Sequence, residues 1–532
     1  MTRLLSPSAL FAAALLFGVW TLLIPARLSA DDRETLEALF RDAGAGEVVT
    51  IPPGVYRLDG ASPIVLKSDL AVVARGAEFR FPESLPGHRG VMFTGTDLRN
   101  FSWEGGKFVG HVFDLDRSDN VWEPQANSRP IVISSSKEGQ SENLRFANIQ
   151  SSDVAGAVVT VQGASGVTLE GCRLIRSGKF MWDYGLLWQI TVWPEDFSAE
   201  QQQMAAKYFP RDLIRTSLTM KQGEDRVWLD NAKPLAVTPT SERGKGCVCF
   251  YGDTLPTNLV RGRQYFIVDS QPEFIRIALE PHGEPIKFAS DGGAKLKMIT
   301  DLFRAHLALY APSGSGPGKG AFDFVHCNDV IVRGCQLSAL GDTMHIQYCR
   351  NVVFTANQIL GSRMGAFFLA EYCQNAVISG NTVDGTNGSR VISVEKSCRD
   401  VVITGNTFRN GGRGSWINQP TNFVLANNVF VNNTTKCEPS PQRGRRSFVT
   451  GDYETYPELY FTTHEAGGKY GNVIVRDNIF VSGDHAEFAI KCHPGGGQIV
   501  IQGNTFSGAA QEIDADGCTN VTIDGNRFVP QK

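Results

Sequence analysis

Apolar and polar residues alternate along much of this chain in a phrase that keeps returning. It reads N-V-V-F-T-A-N at Asn351–Asn357, N-A-V-I-S-G-N at Asn375–Asn381, D-V-V-I-T-G-N at Asp400–Asn406 and N-F-V-L-A-N-N at Asn422–Asn428. Later copies are Asn472–Asn478, Gln498–Asn504 and Asn520–Asn526, and two earlier ones, Gly166–Cys172 and Asp329–Cys335, end in Cys. Alternation over about five positions is a strand period. From Cys335 to Asn428 the closing residues are 22, 24, 25 and 22 apart, a period that marks a stacked solenoid. One turn of that length has room for two or three short strands and no long helix. Stacked turns pair each strand with its copies above and below, which predicts an all-β, right-handed parallel β-helix. The closing Asn recurs at one place per coil. Its amides are expected to bond along the axis as a ladder, at a corner whose left-handed backbone Asn tolerates.

The cysteines keep the same register. Cys327, Cys349, Cys373, Cys398 and Cys518 each stand two residues before a copy, and Cys172 and Cys335 replace the ladder Asn. Seven of the 11 Cys thus occupy two repeat positions, which reads as core packing by a small apolar side chain. Cys247 and Cys249 form a C-x-C without a second pair, so no zinc site is expected. Cys437 and Cys492 are the candidates for a disulfide.

A net charge of −4 with no basic block excludes nucleic acid as an expected partner. Arg3, an apolar run around Leu10–Leu23 and small residues near Ser29–Ala30 read as a signal peptide over residues 1–30, with an uncleaved anchor as the alternative. The mature chain is then secreted or periplasmic, with no stable membrane insertion after cleavage. Residues 31–195 read as an N-terminal cap and the first coils. Asp32–Ala45 is an amphipathic helix able to cover the open end of the solenoid, followed by E-V-V-T-I-P-P-G-V-Y-R-L at Glu47–Leu58. A helix, a strand ending P-P-G-x-Y and later N-V-x-I-x-G-N coils together resemble the pectin-lyase-like superfamily of carbohydrate-active enzymes. The resemblance covers Asp32–Ile175 and about Phe322–Lys532. It implies the fold, but not the reaction, because hydrolases, lyases, epimerases, tailspikes and adhesins share it.

The phrase is lost between Cys172 and Cys335. Residues 196–310 read as an insertion: a helix at Asp196–Phe209 closed by Pro210, then a small antiparallel β module over about Arg211–Met298. Its strand candidates are Val227–Leu229, Cys247–Tyr251, Gln264–Val268 and Phe274–Leu279. Residues 311–532 return to coils, with a smaller excursion at about Asn432–Tyr470. The strands flanking the insertion, Lys179–Trp193 and Ala321–Cys327, are expected on adjacent coils.

Aligning the strands that precede each phrase on their Cys places Asp323 beside His345 and Gln347 beside Glu371, and Glu371 beside Glu395 if the longer coil absorbs one residue. Period-2 alternation turns Met344 and Ile346 inward and His345 and Gln347 outward. One outer face is then expected to carry Asp183, Asp323, Asp342, His345, Glu371 and Glu395 as catalytic candidates. Arg363, Arg390 and Lys396 lie nearby as substrate-binding candidates. Coils are about 4.8 Å apart, so carboxylates one or two coils apart stand about 5–10 Å apart. That range covers retaining and inverting glycoside hydrolysis. Trp182, Trp188, Trp193 and Trp416 could stack on sugar rings, and Tyr453, Tyr456, Tyr460, His464 and Glu465 lie in or beside the second excursion. No cofactor or metal is called for.

The segment Cys327–Gln347 resembles the β-helix exo-α-1,3-galactosidases, in which a similar coil leads into a paired Asp motif. Asp342 matches the second Asp; the first position is Gly341, and Asp323 or Glu371 could supply its carboxylate. The leading expectation is an exported glycoside hydrolase acting on a poly- or oligosaccharide with paired carboxylates. A polysaccharide lyase or uronate epimerase, with Lys396, Arg363 or Arg390 neutralising a uronate, is the alternative. A non-catalytic glycan-binding or surface β-helix is a third.

Overall fold

A computed structural model describes residues 32–58, 62–81, 90–110, 128–154, 156–178, 214–230, 235, 237, 246–261, 263, 265–279, 283–300, 320–339, 341–362, 365–385, 389–435, 455–463 and 467–530. Among them, three parallel sheets of 13, 13 and 12 strands (A, B and C) run along one axis. The chain is a right-handed parallel β-helix.

Each recurring phrase is a strand of sheet A. Arg350–Thr355 pairs in register with Asn328–Arg333 on one side and Gln374–Ser379 on the other. Its alternate apolar residues, Val352 and Phe354, are buried in the coil. The short strand after the closing residue, such as Gln358–Leu360, belongs to sheet B. The strand before each Cys belongs to sheet C: Phe322–Val325, Met344–Gln347, Gly365–Leu369, Arg390–Val394 and Ser415–Asn418.

The amide ladder forms at the corner between sheets A and B. The backbone N–H and Nδ2 of Asn357 both donate to Asn381 Oδ1, at 2.8 and 3.1 Å. The step repeats from Asn381 to Asn406, Asn428, Asn478, Asn504 and Asn526. Each Nδ2 also reaches a strand carbonyl of an earlier coil, as Asn357 does to Val332 at 3.0 Å. Buried amides left without such partners would each cost about 1–3 kcal/mol. The left-handed backbone is not at the closing Asn, as expected, but one residue earlier, at Ala356, Gly380 and Gly405. It recurs at the opening residues Asn351 and Asn375, which form a second, exposed ladder from Asp329 with steps of 2.9 and 2.8 Å.

Cys335 heads the buried ladder, its N–H donating to Asn357 Oδ1 at 2.9 Å. Cys327, Cys349, Cys373 and Cys398 stack in the core, and all the described Cys are free thiols. Cys492 is one of them, so its expected disulfide is not made. It takes the inward place on its sheet C strand, opposite Phe461, where burial pushes its thiol up to about 12. Cys437 lies outside the described residues.

The helix Arg33–Asp42 buries Leu36 and Phe40, and Phe40 packs on Phe93 of an early coil with ring centroids 5.9 Å apart. Lys67 Nζ donates to the Arg41 and Ala43 carbonyls, satisfying acceptors that the helix end leaves open. No described helix is long and apolar enough to cross a membrane.

The insertion carries a seven-stranded antiparallel sheet with its own apolar core, including Val227, Val248, Tyr265, Ile275 and Met298. Its strands include Val227–Leu229, Cys247–Tyr251, Tyr265–Ser270 and Phe274–Ala278. The solenoid closes beneath it: Phe322–Val325 pairs directly with Val159–Gln162. The sheet C neighbour on that side is Val159–Gln162, and the expected strand Lys179–Trp193 and helix Asp196–Phe209 lie outside the described residues. The second excursion skips no coil. Its strand Leu459–Thr462 sits between Ser415–Asn418 and Ile490–Cys492.

Candidate functional site

The candidate residues occupy the outer face of sheet C and the corner where sheet C turns into sheet A. Asp323 is the Cα partner of His345, as the Cys-anchored alignment expects. Met344 and Ile346 are fully buried, and His345 points away from the coil interior yet is only 9% exposed. Two contacts cover it. Its ring stacks on Phe368 of the next coil with centroids 4.5 Å apart, and its Nε2 lies 3.2 Å from Asp342 Oδ2.

Asp342 stands where the chain enters sheet C, and it is 2% exposed. Its Oδ1 accepts the Gly365 N–H at 2.8 Å. A Cβ built on Gly365 would lie 2.6 Å from the Phe368 ring and 2.9 Å from Asp342 Oδ1, so glycine is required there for both groups to keep their places. One Asp342 oxygen meets the backbone and the other the imidazole, so the carboxylate is not open to solvent. Its carboxylate meets the outward-pointing His345, on the side of the strand where it is expected, but is buried there.

Glu371 forms a second cluster, at the corner. Its carboxylate accepts from Gln347 at 3.1 Å and Tyr348 Oη at 3.0 Å, and pairs with Lys396 at 3.0 Å. Burial pushes the carboxyl up, but Lys396, Tyr348 and Gln347 together outweigh it and hold Glu371 below the usual carboxylate range. The same hydrogen bond raises Lys396. Glu395 is not beside Glu371. Its N–H donates to Leu369 O, which sets it opposite Ala370, while Tyr372 N–H donates to Lys396 O. The one-residue difference follows from the register Leu369↔Val394, which the longer coil imposes.

Further along sheet C, Trp416 lies between Ser393 and Tyr460, with Tyr460 edge-on at 5.4 Å. The Arg390 guanidinium sits over the Trp416 ring, 4.2 Å from its centroid. Asp183, Trp182, Trp188, Trp193, Arg363, Tyr453, His464 and Glu465 lie outside the described residues.

A groove of about 560 Å³ lies elsewhere, at the sheet A–sheet B corner of the early coils. Its charges are paired internally, Arg75 with Glu104 and Lys107 with Glu78, and it holds none of the residues above. The chemistry of the side chains, and not this volume, locates the candidate site.

A family model described as Periplasmic copper-binding protein (NosD) matches residues 313–457. No curated protein matches the chain. Among solved structures, the mannuronan C-5 epimerase AlgE6 A-module of Azotobacter vinelandii is 10% identical, with a TM-score of 0.44, covering 94% of this chain and 96% of that one. The Streptococcus pneumoniae surface adhesin PfbA is 11% identical, with a TM-score of 0.40, covering 93% and 88%. The polygalacturonase of Erwinia carotovora is 10% identical, with a TM-score of 0.36, covering 94% and 93%. At these identities and TM-scores the likeness carries nothing about chemistry.

Three residues of this face were not candidates from the sequence: His326, Tyr348 and Tyr372. Their rings stack along the corner, with centroids 4.6 Å apart at 8° and 5.4 Å apart at 18°. The signal was present, since each directly precedes a stacked Cys, in H-C, Y-C and Y-C.

Proposed function

We propose that the chain is an exported carbohydrate-active enzyme that hydrolyses a glycosidic bond. The observation that carries this reading is His345, clamped between Asp342 and Phe368 and standing beside Asp323 on the outer face of sheet C. A buried carboxylate on one imidazole nitrogen fixes the orientation of the ring, so the other nitrogen of His345 is placed to give a proton to a leaving sugar oxygen. Asp323, one strand away at about 4.8 Å, supplies the carboxylate that activates water or meets the anomeric carbon. Asp342 is a positioning residue. Glu371, held charged, does not suit the role of general acid.

Lyase or epimerase chemistry on a uronate is the rival. It asks for a cation to meet the sugar carboxylate, and the two described candidates are engaged: Lys396 with Glu371, and Arg390 on Trp416. This favours hydrolysis. A purely adhesive role leaves the gathering of Asp323, His345 and Asp342 without a reason. Export rests on the N-terminal Arg3 and Leu10–Leu23 pattern and agrees with the periplasmic description of the matching family model.

The test is product analysis on neutral, sulfated and uronic glycans, with α-galactosides among the neutral ones. Hydrolysis yields new reducing ends without ultraviolet absorbance, abolished in Asp323→Asn and His345→Gln. Products carrying an unsaturated, absorbing bond would replace this reading with the lyase.

A further inference from the structure

We propose that the open face of Tyr372, at the end of the His326–Tyr348–Tyr372 stack, is a glycan-stacking subsite. The proposal rests on the carbohydrate reading of the neighbouring site.

The corner that follows the sheet C strands in the middle of the solenoid has a left-handed backbone. In the coil before the stack that place is filled by Gly163, at φ 75°, the residue with least objection to it. The next three coils put His326, Tyr348 and Tyr372 there instead, at φ 53°, 54° and 57°. Bulky side chains in this region are strained, and strain repeated at one position over three coils clusters at functional sites. Stacking of one ring on the next offsets part of that cost but leaves the last ring uncovered by a further one.

That last ring is Tyr372, which is 47% exposed. The following coil has Ser397 at the equivalent place, also left-handed at φ 59°, and so ends the stack. The Tyr372 hydroxyl makes no hydrogen bond among the described residues. Beside the ring lies a polar edge: the Glu371 carboxylate with Gln347, Tyr348 and Lys396 around it. An exposed aromatic face bordered by charged donors and acceptors suits a sugar ring, which presents C–H groups on its face and hydroxyls on its rim.

The position also suits the chemistry. Tyr348 follows His345 by three residues, about 10 Å of strand, a distance that a short oligosaccharide spans. A chain reaching from His345 to Tyr372 would run across the coils toward sheet A, not along the solenoid axis past Trp416. The subsite would therefore select for length and for a sugar with an unhindered apolar face at one end of the bound segment.

The experiment uses the full chain and two substitutions, Tyr372→Ala and Tyr372→Phe. Retention is measured by affinity electrophoresis in gels holding each glycan of the panel, and KM and kcat are measured on any glycan that is cleaved. Thermal melting of both variants controls for folding. Tyr372→Ala should weaken retention and raise KM about three- to tenfold, with kcat within about twofold, and Tyr372→Phe should restore most of the loss. A Tyr372→Ala protein that binds and cleaves like wild type overturns the subsite and leaves the hydrolase reading standing. Retention that is lost in Tyr372→Ala, in a protein that cleaves nothing, overturns the hydrolase and keeps the subsite. A wild type that neither binds nor cleaves any glycan overturns both.

Discussion

Asp342 and Glu371 stand on neighbouring coils, and their surroundings give them different work. Asp342 is sealed under Gly365 and His345, with one oxygen on each. Glu371 is bound by three side chains and stays anionic. Asp342→Asn keeps an acceptor for the Gly365 N–H but removes the charge behind His345. We expect kcat on a cleaved glycan to fall about 100-fold, with KM and melting temperature close to wild type; steady-state kinetics and calorimetry check both. A third acid, Glu458, is fully buried. Burial raises it to about 7, against the hydrogen bonds from Thr434 Oγ1 at 2.6 Å and Gly483 N–H at 2.8 Å, and its Oε2 has no partner among the described residues. Between its ordinary 4.5 and about 7, the folded chain holds this proton while the unfolded chain has lost it. Stability from this group therefore falls as pH rises through that window and stays low above it. Glu458→Gln should remove the loss: its unfolding midpoint relative to wild type should climb from pH 5 to pH 8, by up to about 3 kcal/mol in free energy.

The amide ladder ties one coil to the next. Asn406 Oδ1 accepts from the Asn381 N–H at 2.9 Å and from its Nδ2 at 2.8 Å, while its own Nδ2 reaches Ile378 O, Thr404 O and Asn428 Oδ1. Asn406→Ala leaves the Asn381 donors facing a void, so a loss of about 2–4 kcal/mol is expected. Asn406→Cys should lose less, because Cys172 and Cys335 already occupy the equivalent place in other coils with their sulfurs against strand carbonyls. Denaturant midpoints of the two variants order the effects; equal losses would mean that side-chain volume, and not the amide, holds the ladder.

The solenoid passes beneath its insertion without a break. Val159–Gln162 pairs with Phe322–Val325, Ala164–Glu170 with Asn328–Arg333, and Arg173–Ser177 with Gln336–Ala339. The two ends of the insertion meet: a Cβ built on Gly320 would lie 3.2 Å from the Ser177 carbonyl. Replacing residues 179–319 by a corner of a few residues, as in the other coils, should leave a β-helix with the parent's sheet signal and cooperative melt. Circular dichroism and calorimetry test this. A molten product would mean that the insertion supplies core to the coils.

The repeat by itself determined the solenoid, the inward thiols, the amide ladder and the pairing of Asp323 with His345. All of these depend on residues at one period, and a period is a property of the sequence. The corners were decided only in three dimensions. Whether Glu371 meets Glu395 or Lys396 turns on how a coil one residue longer absorbs the difference, and pairing across the sheet settles that. The burial of Asp342 behind Gly365 and Phe368 depends on side chains from the next coil filling the space above it. The stacking of His326, Tyr348 and Tyr372 likewise needs three left-handed corners aligned along the axis. The sequence wrote those rings beside the cysteines, but only stacking makes them a surface.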